Sequence, residues 1–536
     1  MERQESPPHG RHLLSLVDEL LLGIIDQIDT HETLCCLART CSRLQNLTEP
    51  YIWRHLLVRR GSNARQVATA LDNKTERTSF VQDLSIRYAF KDEDEDGIEK
   101  LGPLIRFMDK LRHLRIESPC PNNVDHRGGG VFHNWTKIDY TSLFEATVHP
   151  QGLPPALPML QSLHLHGHGP DERKFTFGRT AIIFFHPTLR HITISCINFD
   201  AEISHANVPA EKLKSTPLQS LTLVECNVNV PFLDVVLSLP RALQELNIGE
   251  RLFTFDDCRP SLDPQTRTSH PLFLTALNRQ AGSLKHLEHI GGDVSCSTSL
   301  IVDAQGSAKL RNLAQLEYLQ LGFESSLVHY IAHNGCPDSL RTLRLSDAAL
   351  SHAHSYSHVQ TVLRLATELV AKRMSNAIDL ELGFAYNMFS DALNVVPRHS
   401  WGHSLWDDKT NRDAAYEIAT ALKVRGSRFR MFGQKFDSGN SYIPPYMFGE
   451  EEPTEVLVYD SDRFWTFGET SHQASDDETF GVGAPGGDRK PCVRCQQAGL
   501  HCVIGTGVSD ATRDICLKCE VNGYTCVASA ENSDAQ

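Results

Sequence analysis

A six-residue pattern constrains this chain more than any other feature. Leucine or another branched aliphatic residue stands at its first, fourth and sixth positions, and it returns repeatedly between residues 111 and 345. Copies begin at Leu111 (LRHLRI), Leu160 (LQSLHL), Leu189 (LRHITI), Leu218 (LQSLTL), Leu243 (LQELNI), Leu316 (LEYLQL) and Leu340 (LRTLRL), with LKHLEHI at Leu284 as a blurred copy. Starts from 160 to 243 lie 29, 29 and 25 residues apart, and those at 316 and 340 lie 24 apart. The two-residue step between the fourth and sixth positions is the period of a strand with one buried face. The longer period marks an array of units, each too small to bury its apolar face without its neighbours.

The pattern resembles the leucine-rich repeat, in which a short parallel strand alternates with a helix or an irregular return. That implies an α/β solenoid over residues 81–385. Its first, fourth and sixth positions would fill a shared core, and the residues between would form a concave surface. The copy at 218 continues as LQSLTLVECNV, placing Cys226 and Val228 where the extended pattern has Asn or Cys and then an aliphatic residue. SHVQTVLRLATELVAKRM, 357–374, reads as an amphipathic helix. Residues 386–470 carry WGHSLW and RFWTF but no repeat, and are expected to cap the solenoid's C-terminal end. A Gly-, Ser- and Asp-rich linker over 471–489 leads to a cysteine-rich tail at 490–527.

Residues 11–60 read as a compact group of short helices. Leu16, Leu20, Ile24 and Ile28 recur every four residues along one face, Asp29 with Glu32 predicts a cap before HETLCCLARTC, and Pro50 predicts a first turn before YIWRHLL. The stretch from Leu14 to Trp53 resembles the F-box, a helical module that docks on the Skp-type adaptor of cullin-RING ubiquitin ligases. Leu14, Leu16, Glu19, Leu20 and Ile24 match its leading run, Leu34, Leu37, Cys41 and Leu44 its middle helix, and Pro50 and Trp53 its end; Val17 stands where the family has proline. The resemblance implies that Leu14, Leu16, Val17, Glu19, Leu20, Ile24, Leu34, Leu37, Pro50 and Trp53 contact the adaptor.

Composition narrows the partners. With 40% hydrophobic and 22% charged residues the chain can build packed domains, and its 536 residues call for more than one. A net charge of -14 opposes sequence-independent binding to nucleic acid or anionic lipid. The polar N-terminus lacks a secretory apolar core and no stretch approaches a spanning helix, so a cytoplasmic or nuclear protein without membrane partners is expected. Nine scattered cysteines read as core residues. The acidic run at 91–100 lacks a calcium-loop spacing, and the glycines at 128–130 and 481–487 lack the lysine of a phosphate loop. His164, His166 and His168 alternate on a predicted strand, and read as surface residues available to a client. No enzyme motif emerges, and a non-catalytic role follows.

The tail holds two copies of C-[VL]-[RK]-C-x3-G-x2-C-V: Cys492, Cys495 and Cys502, then Cys516, Cys519 and Cys526. Tetrahedral zinc takes four thiolates, so six serve two ions only through bridging sulfurs. The spacing resembles the fungal binuclear zinc cluster, which implies Cys492 and Cys516 as the bridges. A single zinc on Cys492, Cys495, Cys516 and Cys519 is the other arrangement. Where DNA-binding members carry basic residues, this chain has Gln496, Gln497, Ala498, Gly499, Leu500 and His501. The electrostatic drive toward DNA is therefore missing.

Together the resemblances imply a substrate-recognition subunit of an SCF-type ubiquitin ligase, bound to adaptor and cullin and holding a client on its repeats. A zinc-cluster transcription regulator and a non-ligase F-box scaffold are the alternatives.

Overall fold

The computed structural model describes residues 13–87, 97–116, 138, 140–148, 155–166, 175–201, 203–250, 263–291, 309–322, 325–346, 363–364, 366–370, 377–384, 409–435 and 454–462. They fall into two compact units, Met1–Pro170 with Phe185–Arg190, and Asp171–Phe184 with His191–Gln536.

The first unit opens with three short helices, α1 (Asp18–Ile25), α2 (His31–Ala38) and α3 (Ser42–Ile52). Buried Leu21 and Ile25 lie one turn apart on α1 and set its inner face, while Leu20 and Ile24 point outward at 56% and 45% exposure. The four-residue register read from the sequence is thus the outer face for its two helical members, and Leu16 and Ile28 fall outside the helix. Thr30, not Asp29, caps α2, its hydroxyl accepting the Thr33 N–H at 3.3 Å. Pro50 does not open a helix: it lies in the last turn of α3, without the N–H that would bond the carbonyl four residues back. Arg43 fastens the group, donating to Asp18 Oδ1 at 2.9 Å and to the Leu14 and Leu16 carbonyls at 2.6 and 2.7 Å.

The chain then enters β1 (His55–Val58), α4 (Gly61–Asn73), β2 (Asp83–Ile86), α5 (Gly102–Ile105), β3 (His113–Ile116), α6 (Tyr140–Val148) and β4 (Ser162–His166). These four strands pair in parallel, and their register stacks Leu56, Leu84, Leu114 and Leu163 in one buried row and Val58, Ile86, Ile116 and Leu165 in another. Parallel pairing therefore begins at residue 55, inside the stretch read as purely helical and before the expected start at 81. WRHLLV at 53–58 and VQDLSI at 81–86 are copies of the pattern whose first position holds Trp53 and Val81 instead of leucine. Glu49 of α3 is buried and receives Lys74 Nζ and, at 2.7 Å, Arg77 Nε. Burial alone would raise its carboxyl, but these hydrogen bonds outweigh it and hold the pKa below the usual value. His186, against the edge of Phe144 at 5.6 Å, is pushed by burial down to about 4 and stays neutral, its Nδ1 accepting the Thr188 N–H at 3.3 Å.

The second unit comprises β5 (Phe175–Thr176), β6 (His191–Ser195), β7 (Ile197–Phe199), β8 (Ser220–Val228), α7 (Val230–Ser238), β9 (Glu245–Glu250), α8 (Leu272–Asn278), β10 (His286–Ile290), β11 (Tyr318–Gly322), α9 (Leu327–Asn334), β12 (Thr342–Ser346), β13 (Asp379–Phe384), α10 (Lys409–Lys423), β14 (Phe429–Lys435) and β15 (Thr454–Asp460). Strands β6, β8 and β9 to β14 run parallel in that order, and β15 closes on β14 antiparallel. One buried row runs Ile192, Leu221, Leu246, Leu287, Leu319, Leu343, Leu380 and Phe429; the other runs Ile194, Leu223, Ile248, His289, Leu321, Leu345, Leu382 and Met431. One strand per repeat with both leucine rows buried makes this a mixed α/β, leucine-rich-repeat-like architecture. The parallel array extends past residue 385 into the segment read as a repeat-free cap, and residues 363–364 and 366–370 of the expected amphipathic helix are helical.

Polar groups finish the core where leucines stop. Cys226 Sγ lies 3.5 Å from the Ile194 carbonyl, and Asn227 Nδ2 donates to Asn198 Oδ1 at 2.6 Å. Buried Gln280 donates to the Leu237 and Pro240 carbonyls at 2.7 and 3.0 Å, and its Oε1 accepts the Leu243 N–H at 3.0 Å, joining α7 and α8 to the approach of β9. Phe177, Phe184, Phe199 and Phe232 cluster with ring centroids 4.8 to 6.3 Å apart. Of the cysteines read as core, Cys196, Cys226 and Cys336 are buried, Cys35 and Cys41 are half-buried and Cys36 is exposed; Cys120, Cys258 and Cys296 lie outside the described residues.

Leu221→Ala and Leu223→Ala each remove a side chain held between two neighbouring strands, and should each cost about 2–5 kcal/mol in urea unfolding. Glu49, with its lowered pKa, stabilises the fold above its unfolded value of about 4.3, and that contribution is lost as pH falls through the folded value. Urea titrations across this acid range should show a shallower pH slope for Glu49→Gln, together with lower stability at neutral pH.

Candidate functional site

Successive strand side chains alternate between faces, so residues between the two leucine rows share the face opposite the core. In the second unit the parallel register sets them in one line: Thr193, Thr222, Asn247, Glu288, Gln320, Arg344, Glu381 and Arg430. Gln320 Nε2 donates to Glu288 Oε1 at 2.6 Å, and the Tyr318 hydroxyl donates to Gln320 Oε1 at 3.0 Å. His286 stacks on Tyr318 at 4.3 Å.

The line ends in a charged cluster. Arg344 makes a two-pronged pair with the Glu455 carboxylate of β15, one prong at 3.1 Å, and lies 3.7 Å from Glu381. Arg430 meets the other Glu381 oxygen at 2.5 Å. Both guanidiniums lie over the Phe432 ring, at 5.2 and 5.9 Å. Burial lifts Glu288 and Glu381 above the ordinary carboxylate range despite the arginines, and drives Tyr318 up to about 12. Burial opposes the charge of Arg344, but Glu455 more than restores it. Such a row presents polar and charged groups, several of them already paired with one another.

The core holds a second polar group that the sequence reading missed. His289 takes the sixth position of the blurred copy at 284, its Nδ1 2.6 Å from Ser325 Oγ and its Nε2 3.4 Å from Glu250, which also receives Thr268 Oγ1. Serine, histidine and carboxylate here follow the order of a hydrolase triad. His289 and Ser325 are buried, however, the Glu250 side chain is only 4% exposed, and Phe273 packs against the imidazole at 4.7 Å, so the group acts as an internal fastening. The signal was present in the sequence: a polar residue at an otherwise aliphatic position.

The residues expected to contact an adaptor divide by location. Leu14, Val17, Glu19, Leu20 and Ile24 are exposed, with Leu20 and Ile24 one turn apart on the outer side of α1 and Val17 at its N-cap. Leu16, Leu37, Pro50 and Trp53 are half-buried, and Arg77 lies 4.9 Å over the Trp53 ring. Leu34 is in the core of the helical group, and its side chain is not available to a partner. Leu13, absent from the sequence-derived set, is 48% exposed just before α1.

His164 is half-buried and His166 is buried on β4, and His168 lies outside the described residues. Among the described residues no group of three or more His, Cys, Asp or Glu is placed to hold a metal ion. The six tail cysteines, Cys492 to Cys526, and the linker before them also lie outside those residues. No helix among the described residues is long and apolar enough to cross a membrane.

No family model matches the chain, and no curated protein matches it. Among solved structures it is similar to the leucine-rich repeat-containing protein LegL7 from Legionella pneumophila, with 12% identity over 74% of this chain and 94% of that one, at a TM-score of 0.32. A likeness of that size carries no argument; the strand register and the buried leucine rows define the fold.

Proposed function

We propose that this chain is a non-catalytic substrate-recognition subunit of an SCF-type ubiquitin ligase, acting in the cytoplasm or nucleus. The observation that carries the proposal is the apolar outer side of α1 and its approach, where Leu20 and Ile24 stand exposed on the helix and Leu13, Leu14 and Val17 just before it. Apolar side chains recurring on one exposed helix side mark a contact surface better than scattered exposed residues do. This one precedes an array of parallel strands, the order that F-box receptors with leucine-rich repeats share. Glu19 and the half-buried Leu16, Leu37, Pro50 and Trp53 would border the adaptor contact, and Leu34 would support it from within. The polar strand face would hold the client. Tethering then works by proximity, raising the local concentration of client lysines to about the millimolar range of linked sites. A non-ligase scaffold would use the same two surfaces, and differs in recruiting no cullin.

We further propose that the tail binds zinc through Cys492, Cys495, Cys502, Cys516, Cys519 and Cys526, two ions if Cys492 and Cys516 bridge and one if four cysteines form a ribbon-like site. From Asp488 to Cys526 there are five basic and four acidic residues, a net of +1, and two zincs with six thiolates would add -2. That balance argues against the transcription-regulator reading and for a protein-contact or stabilising role.

The full chain should capture a Skp-type adaptor together with cullin. Leu20→Asp with Ile24→Asp should abolish capture with little change in melting temperature, because both residues are already solvent-facing; Leu21→Asp should unfold the helical group instead. Wild-type protein that recovers no adaptor refutes the receptor reading, and adaptor without cullin favours the scaffold. Elemental analysis should find one or two zincs per chain, lost on replacing Cys492 and Cys516 with Ser, and the chain should not hold a defined duplex at about micromolar affinity in physiological salt.

A further inference from the structure

We propose that Arg344, Arg430 and Phe432 form a carboxylate-recognition site for an acidic peptide segment, and that Glu455 occupies it as an internal stand-in. The inference rests on the reading of the strand face as the client surface, and names the chemistry that face selects.

The two acids of the cluster differ in origin. Glu381 is built into the row, on β13 between the two arginines' strands, and its side chain is only 8% exposed. Glu455 comes from β15, the antiparallel strand, where it is paired with Gln434 of β14; its carboxylate nonetheless reaches Arg344 on β12. Its side chain remains 43% exposed. One carboxylate is therefore a fixed part of the site, and the other is a visitor that water, and a competitor, can reach.

The receiving side is shaped for a planar anion. A guanidinium presents a fork of donors that matches a carboxylate in two-pronged geometry, and here Arg344 already makes that contact. Phe432 supports both guanidiniums from below. Gly383 clears the space: a Cβ there would lie 2.9 Å from Arg344 Nη2 and 3.1 Å from its Nε. The Nε of Arg344 and the Nε of Arg430 are buried without a hydrogen-bond acceptor, so the pair retains donor capacity that Glu381 and Glu455 leave unused. Exchange of Glu455 for a client carboxylate conserves charge. It also leaves no arginine uncompensated, and so avoids the main penalty of opening a partly buried ion pair.

The test is direct binding by the purified full chain, measured by fluorescence anisotropy with a labelled peptide of alternating Glu and Gly and a matching Lys–Gly control. No adaptor is involved, so the outcome is independent of whether the chain assembles a ligase. Glu455→Gln removes the internal carboxylate's charge and weakens its hold on Arg344, and should bind the acidic peptide at least fivefold more tightly than wild type, with no gain toward the basic control. Adding Arg344→Gln to Glu455→Gln should erase the gain. Gly383→Ala in the Glu455→Gln background should erase it too, by displacing the guanidinium, with each variant's melting curve recorded to establish folding. Equal affinity of wild type and Glu455→Gln overturns the proposal and makes the cluster a purely structural ion-pair network. Tight binding that survives in a folded Arg344→Gln/Glu455→Gln or Gly383→Ala/Glu455→Gln variant overturns it as well.

Discussion

Cross-strand register is the constraint on which the rest of the structure depends. Each strand contributes two aliphatic side chains separated by one outward residue, and parallel pairing without slippage sets every such pair beside its neighbours. A shift of one residue would exchange the leucine rows with the polar row and bury Glu288, Arg344 and Glu381 in their place. The hydrophobic rows and the polar line are therefore two consequences of one alignment. The charged cluster is held in place because the leucines behind it allow no other pairing.

The core is not uniformly aliphatic, and its exceptions are informative. His289 interrupts a row of leucine, isoleucine and methionine and brings Glu250, Thr268 and Ser325 with it into the interior. Gln280 satisfies three backbone groups at once where α7 and α8 meet the approach to β9. Buried polar groups of this kind are tolerated because their partners are built in, and a missing partner would cost more than the bond contributes. Gln280 lies between α8 and β10, where backbone groups lose their ladder partners, whereas His289 sits within β10 itself.

Much of the repeat region was legible because leucine at three fixed positions is a strong periodic signal. The copy led by Trp53 fell outside the expected array and the one led by Val81 stood at its start without the leading leucine, since the geometry asks only for an apolar side chain at that place. At α1 the four-residue period was legible as one face, and Leu20 and Ile24 lie on the outer side; what the period did not show is that Leu21 and Ile25 form an equally good apolar stripe one residue along and are the buried pair. Local pattern cannot choose between two such stripes; the packing of α1 on α3 and the Arg43 hydrogen bonds do. Pro50 misled for a related reason, as a proline near a helix boundary marks the neighbourhood of an end without saying which end. The Arg344–Glu455 pair joins residues 111 positions apart and had no local signature at all.

The antiparallel strand β15 has a consequence for how such a chain can change in length. A parallel array normally grows by appending another repeat to its last strand. Here the edge of β14 is already taken by a strand of opposite direction, fixed by Arg428 on Asp460 and by the Phe429 N–H on Ser461 Oγ. A duplicated repeat added after β14 would meet an occupied edge. At this end, lengthening the array requires insertion ahead of the β14–β15 pair, which then stays together as a single block.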